Sequence, residues 1–171
     1  MDLLTIGLRI VHIVAGVLWV GGAALFFFYI EPTLNKMGPD AEKFIDELVN
    51  RRKVPIYFVA ASTFSVVFGS ILYWRASNGL QSPWVTSPSG LAFGLGGLAA
   101  LIAWLGGNLL IPRTIGQLAA VTGEMKAAGG PPSDEQMGRL HAIQERLRKI
   151  GLIDIILLTI AVVAMASARY L

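Results

Sequence analysis

The chain reads as an all-α membrane protein, a transmembrane four-helix bundle built from two parallel-repeat hairpins. Three observations lead there. The 171 residues are 54% apolar and only 15% charged, with mean hydropathy +0.63, whereas soluble chains carry about 25% charge. Apolar runs near the roughly 20 residues that an α-helix needs to cross the hydrocarbon core occupy 3–30, 54–76, 90–112 and 150–168. None of these runs alternates in the manner of a transmembrane β-strand.

Span one begins directly after Asp2. Gly21-Gly22-Ala23-Ala24 has the small residues of a signal-peptide cleavage site, but no basic region precedes the run and Leu25–Ile30 keeps it apolar afterwards. It is therefore expected to be retained. In the connection that follows, Gly38-Pro39-Asp40 predicts a turn and an N-cap. Phe44, Ile45, Leu48 and Val49 then recur at helical spacing, opposite Glu42, Lys43, Asp46, Glu47 and Asn50.

Span two ends at Trp74-Arg75. The next connection, Ser77–Ser89, is short and rich in turn signals (Asn78-Gly79, Ser82-Pro83, Ser87-Pro88). Trp74 and Trp84 flank it as an interfacial aromatic belt would. After span three, Gly129-Gly130-Pro131-Pro132 breaks the chain and Ser133-x-x-Gln136 reads as a capping box. Met137, Leu140, Ile143 and Leu147 follow at spacings of three and four, and this stretch runs almost directly into span four.

Both amphipathic stretches end in basic clusters and are expected at the headgroup level, touching membrane lipid, with docking to a partner as the alternative. Lysine and arginine set the orientation. The first connection holds Lys36, Lys43, Arg51, Arg52 and Lys53, and the third holds Arg113, Lys126, Arg139, Arg146, Arg148 and Lys149. The opposite face has Arg9, Arg75 and Arg169 alone, which predicts cytoplasmic connections one and three and both termini on the periplasmic or outer side.

The halves resemble each other. Trp19-Val20-Gly21-Gly22 matches Trp104-Leu105-Gly106-Gly107, and each precedes a proline, Pro32 or Pro112. Spans one and three run the same way, so the repeat axis would lie along the membrane normal. Small residues recur every four positions: Ala61, Ser65 and Gly69; Gly90 and Gly94; Ala99, Ala103 and Gly107; Ala164 and Ala168. Such stripes let helices approach closely in lipid.

Several function classes fall away. The chain contains no cysteine, which excludes disulfides, zinc–thiolate sites, iron–sulfur clusters and a cysteine nucleophile. The basic residues sit at the ends of apolar runs, so nothing points to nucleic acid. No phosphate loop or nucleophile–base motif supports a hydrolase or kinase.

Ionisable groups inside the bilayer are costly and become the candidates. His12 lies about two turns into span one, on a face shared with Arg9, Gly16 and Trp19. Its imidazole either ligates haem iron or copper, relays protons, or hydrogen-bonds a neighbouring helix. Arg9, Arg75 and Arg169 near the outer face suit either haem propionates or interfacial anchoring. Met165 offers a thioether, either as a second haem or copper ligand or as filler. Aligning Trp19 with Trp104 sets Gly97 opposite His12, which excludes a symmetric bis-histidine site within one chain; Gly97 leaves room for a flat cofactor or permits helix contact. At the other end stand Glu31, Asn108, Arg113 and Asp154, with Arg113 expected to pair with Glu31 or Asp154 in a structural role, and a proton or ion path as the alternative. His141 is expected to be solvated.

The stretch Leu8-Arg9-Ile10-Val11-His12-Ile13-Val14-Ala15-Gly16-Val17-Leu18-Trp19-Val20-Gly21-Gly22 resembles the opening of the copper-resistance protein D-like (CopD-like) membrane proteins, above all their small uncharacterised bacterial branch. Trp74-Arg75, Trp84-x-x-Ser87-Pro88-x-Gly90, Gly129-Gly130-Pro131-Pro132-Ser133 and Met165-Ala166-x-Ala168-Arg169-Tyr170-Leu171 follow in order. The resemblance implies a bacterial inner-membrane protein and, through the family, copper uptake. A similar opening helix in the membrane protoporphyrinogen oxidase family implies haem, with His12 the residue carried over from either pattern. The chain departs from full-length CopD-like proteins in having a smaller core and no Met/His-rich tract. The resulting expectation is haem b or copper at His12, serving copper handling or redox work. The alternative is a cofactor-free accessory subunit. A haem-linked oxidoreductase is the one enzyme class in view, and a homodimer or larger membrane complex would let a second His12 complete the site.

Overall fold

The computed structural model describes residues 2–38 and 40–171, and these form helices and turns without a strand. Among them, four helices are long and apolar enough to cross a membrane: α1 (Leu3–Leu34), α3 (Val54–Ala76), α5 (Pro88–Ala128) and α6 (Asp134–Tyr170). Two short helices lie between them, α2 (Asp40–Asp46) and α4 (Ser82–Val85). The chain is a multi-pass membrane protein by this architecture. Apolar side chains cover its flanks, such as Leu3, Ile13, Val17, Leu98 and Val163, a distribution suited to lipid rather than water.

α1 packs along α3 and α5 along α6, so the chain forms two helical hairpins; α3 meets α5, and α1 touches α6. Interior positions are mostly small, as close approach in lipid requires. Ala61, Ala99, Ala103 and Ala161 are buried, and Trp19 and Leu158 fill the centre beside Ala61 and Ala103. Both chain ends and the α3–α5 connection lie at one end of the bundle, tied by Arg75 to Asp2 at 2.7 Å and by the Tyr73 hydroxyl donating to the Gly90 carbonyl. The two basic connections share the opposite end.

The caps follow local chemistry. The Asp2 carboxylate accepts from the Thr5 amide, the Ser87 hydroxyl accepts from the Gly90 amide, and Ser133 with Gln136 forms the reciprocal capping box. Gly129 stops α5 in the left-handed conformation, φ +65°. Gly38 turns with φ +58°, and α2 begins at Asp40, a residue earlier than an N-cap there would place it. The expected turn at Pro39 lies outside the described residues.

Pro32 and Pro112 do not end their helices. Each is preceded by a wide turn with i→i+5 bonding, Phe26–Ile30 and Gly106–Leu110, where the Glu31 amide reaches the Phe26 carbonyl and the Ile111 amide the Gly106 carbonyl. A proline ring collides with the carbonyl four residues back and brings no N–H, and a widened turn accommodates both defects. α5 therefore runs on for 41 residues, about 60 Å at 1.5 Å per residue, or twice the hydrocarbon thickness. It leaves the membrane as a rod.

The second amphipathic stretch is correspondingly not a separate helix on the headgroups but the first half of α6. Thr114, Leu118, Val121 and Met125 of α5 are buried or half-buried at spacings of four, three and four, and Met137, Leu140, Ile143 and Leu147 of α6 are half-buried at spacings of three, three and four. The two segments pack together as an antiparallel seam of the heptad kind. In contrast, Phe44, Ile45 and Val49 around α2 stay exposed, and the Lys126–Glu42 pair at 2.6 Å links α2 to the rod.

Candidate functional site

His12 projects from α1 toward α3, on the helix face that carries the buried Leu8, Ala15 and Trp19. Its Nδ1 lies 2.8 Å from the carbonyl oxygen of Ser65. A carbonyl only accepts, so Nδ1 carries the hydrogen and Nε2 keeps its lone pair in the neutral ring. The ring fits because α3 has Gly69 there: a Cβ at that position would stand 2.7 Å from Cε1 and 2.9 Å from Nδ1. One turn along, a Cβ on Gly16 would meet the Ser65 hydroxyl at 3.3 Å. The small-residue stripe Ala61, Ser65, Gly69 thus serves both to admit the imidazole and to supply its acceptor.

Met165 and Gly97 lie apart from His12. Met165 sits on α6 with its Cγ 2.9 Å from where a Gly96 Cβ would be, so it fills a notch in the second hairpin while His12 fills one in the first. Gly97, expected opposite His12, is exposed and nothing lies within 4 Å of its Cβ direction. The helix contact belongs to Gly96, one residue away, because the two hairpins use opposite notches: a large residue on the first helix against glycine in one, glycine against a large residue in the other. Arg75 is engaged with Asp2. Arg9 and Arg169 are exposed near the same end, and His141 is exposed, as expected of a solvated residue.

At the basic end a second polar set crosses three helices. The Asn108 amide donates to the Ser62 hydroxyl at 3.3 Å and to the Trp104 carbonyl at 2.9 Å, while the Trp104 indole donates to the Thr63 hydroxyl at 3.1 Å. Ser62 is 2% exposed, so these bonds satisfy groups that lipid would leave bare. Asp154 of α6 lies against the wide turn of α5, its Oδ1 3.0 Å from a Gly106 Cβ position and its Oδ2 3.4 Å from that of Gly107. The expected pairing of Arg113 is corrected: Arg113 is exposed and, among the described residues, forms no ion pair. Arg148 is the cation whose field reaches Glu31. The reason is helical phase, since the wide turn rotates everything beyond Leu110 relative to the preceding span.

The sequence marks Ser65 as part of a packing stripe and not as the acceptor for His12, and it does not single out Ser62, Thr63 or Tyr57, whose hydroxyl donates to the Leu18 carbonyl at 2.6 Å. Their signal was weak, being single hydroxyls in apolar spans. Among the described residues, no group of three or more His, Asp or Glu side chains gathers to hold a metal ion. Comparison with family models, with curated proteins and with solved structures found no match.

Proposed function

We propose that this is a bacterial inner-membrane protein of the CopD-like type, with both termini on the outer side, that holds haem b through Nε2 of His12. The observation carrying the reading is the His12 Nδ1–H bond to the Ser65 carbonyl. Metal-ligating histidines almost always anchor their second nitrogen in this manner, which fixes the tautomer and the ring. Haem is favoured over copper by the donor set: haem needs few ligands from the protein, whereas a copper ion needs several side chains, and among the described residues no group of three or more His, Asp or Glu gathers. Arg9 and Arg169 stand near the same end of the bundle for propionates. Bound haem would supply one-electron redox chemistry, and His12 of a second copy would be a further residue to hold it.

The test is spectroscopic. The protein expressed with haem supplementation and purified in mild detergent should show a Soret band that shifts on dithionite reduction. His12→Ala should abolish it, with imidazole in the buffer restoring it in part. A purified, folded protein without a Soret band refutes haem binding; a band that survives in H12A refutes the site. The second reading, an accessory subunit without cofactor, is favoured by the Gly69 notch, because the same contact locks α1 onto α3 with no ligand. It predicts a stable, colourless protein in which H12A loosens the first hairpin.

A further inference from the structure

The end of the bundle opposite His12 carries a second intramembrane ionisable group, Asp154. α6 lies between the two wide turns. Its Gly151 receives the ring of Phe27, with Cδ2 3.0 Å from a Cβ position there, and one turn on its Asp154 lies across Gly106 and Gly107. Each wide turn leaves one carbonyl without a helix donor. In α5 the Ile111 amide bonds to Gly106 and not to Gly107, and the next residue, Pro112, has no N–H to give. The Gly107 carbonyl is therefore left over. In α1 the Glu31 amide bonds to Phe26, and Pro32 follows, so the Phe27 carbonyl is left over by the same logic. Asp154 itself has neither a hydrogen bond nor an ion pair among the described residues, although it lies one turn inside the apolar run of α6.

A bare carboxylate and a released backbone carbonyl are both hard oxygen donors that lipid cannot satisfy. Unwound backbone carbonyls at intramembrane helix breaks are suited to coordinating small monovalent cations. We propose that Asp154 and the Gly107 carbonyl form a binding site for a sodium-sized monovalent cation at the α5–α6 interface. One carboxylate balances one positive charge, which selects a monovalent over a divalent ion. The Asp154 carboxylate occupies the space that side chains would fill at the two glycines, which sets it against the wide turn, and the Asn108 amide is turned away toward Ser62. The other charges on elements packed around the site are Glu31 on α1, Arg113 on α5, and Arg148 and Lys149 on α6; α3 contributes the hydroxyls of Ser62 and Thr63.

Carbodiimide labelling of the purified full chain in detergent tests this, because dicyclohexylcarbodiimide reacts with intramembrane carboxyls in their protonated form. Mass spectrometry should locate the adduct on Asp154. Sodium chloride should slow labelling in a saturable manner while choline chloride at equal ionic strength does not. Pro112→Ala returns an N–H to the helix and should raise the sodium needed for half-protection by about tenfold, the loss of one ligand. Labelling that responds to pH but not to sodium overturns the proposal in favour of a proton site. Absence of an Asp154 adduct at any pH overturns it as well, and unchanged sodium protection in P112A removes the Gly107 carbonyl from the site.

Discussion

Replacing Gly69 with alanine tests the His12 contact most directly. The added methyl would lie 2.7 Å from His12 Cε1 and 2.9 Å from Nδ1, closer than carbon and nitrogen tolerate. The ring or α3 must then shift, and the bond to Ser65 goes with it. Overpacking of this kind costs about 1–3 kcal/mol. Alanine in a helix interior recovers about 0.5–1 kcal/mol over glycine. The net expectation for G69A is a loss of about 0–2.5 kcal/mol. With His12→Ala already present the obstruction is gone, and the same substitution should stabilise by about 0.5–1 kcal/mol. The sign of the effect therefore reverses between backgrounds. Gly97→Ala is the control: with nothing within 4 Å, it should stabilise by about 0.5–1 kcal/mol in both. Equilibrium unfolding in mixed micelles, followed by tryptophan fluorescence and far-UV circular dichroism, supplies the four corners of the double-mutant cycle. A coupling energy of zero would refute the contact, and so would a stabilising G69A in the wild-type background.

Three further outcomes follow from other parts of the molecule. Trp104→Phe removes the indole donor to Thr63 and should cost about 0.5–1.5 kcal/mol for the hydrogen bond, an effect that disappears when Thr63 is already valine in the same unfolding assay. Val121→Ala deletes two carbons from a side chain only 2% exposed in the α5–α6 rod and should cost about 1.5 kcal/mol; trypsin should then cut faster near Lys126 and Arg139 while the spans stay protected. The hydrogen bonds from Thr5, and then the Arg75 guanidinium, hold the Asp2 carboxyl below its ordinary value. A depressed carboxylate contributes stability above its unfolded pKa of about 3.9 and loses it as pH falls through the lower folded value. Protection factors for amide exchange in the first turn of α1, with the intrinsic pH dependence divided out, should accordingly fall only on the acidic side of that range, and Asp2→Ala should remove the change.

Length and hydropathy are one-dimensional quantities, and what depends on them was legible in the chain. Four apolar runs predicted four helices, Ser133-x-x-Gln136 predicted a cap that forms as written, and Gly129–Pro132 predicted a break in the chain, which is where α5 stops. Periodicity also picked out the faces of Met137–Leu147 and Phe44–Val49, but not what covers them. One is sealed by α5 and the other is left open, a difference set by how far each preceding span continues as helix. Pro112 reads as a stop in sequence because its local cost is plain. Only the folded chain shows that a wide turn pays that cost and carries the helix on to Ala128.

His12 illustrates the same division. Its place in an apolar run singled it out, since an imidazole in lipid needs a partner. Which partner it has was decided by α3, through the Ser65 carbonyl and the space at Gly69, 53 and 57 positions away in sequence. Asp154 was legible as an intramembrane carboxyl, yet the arginine chosen for it points elsewhere because each wide turn shifts the helical phase. The residues that must leave water are determined by the sequence alone; which donor and acceptor then meet depends on helix phase and crossing, and those exist only once the helices have packed.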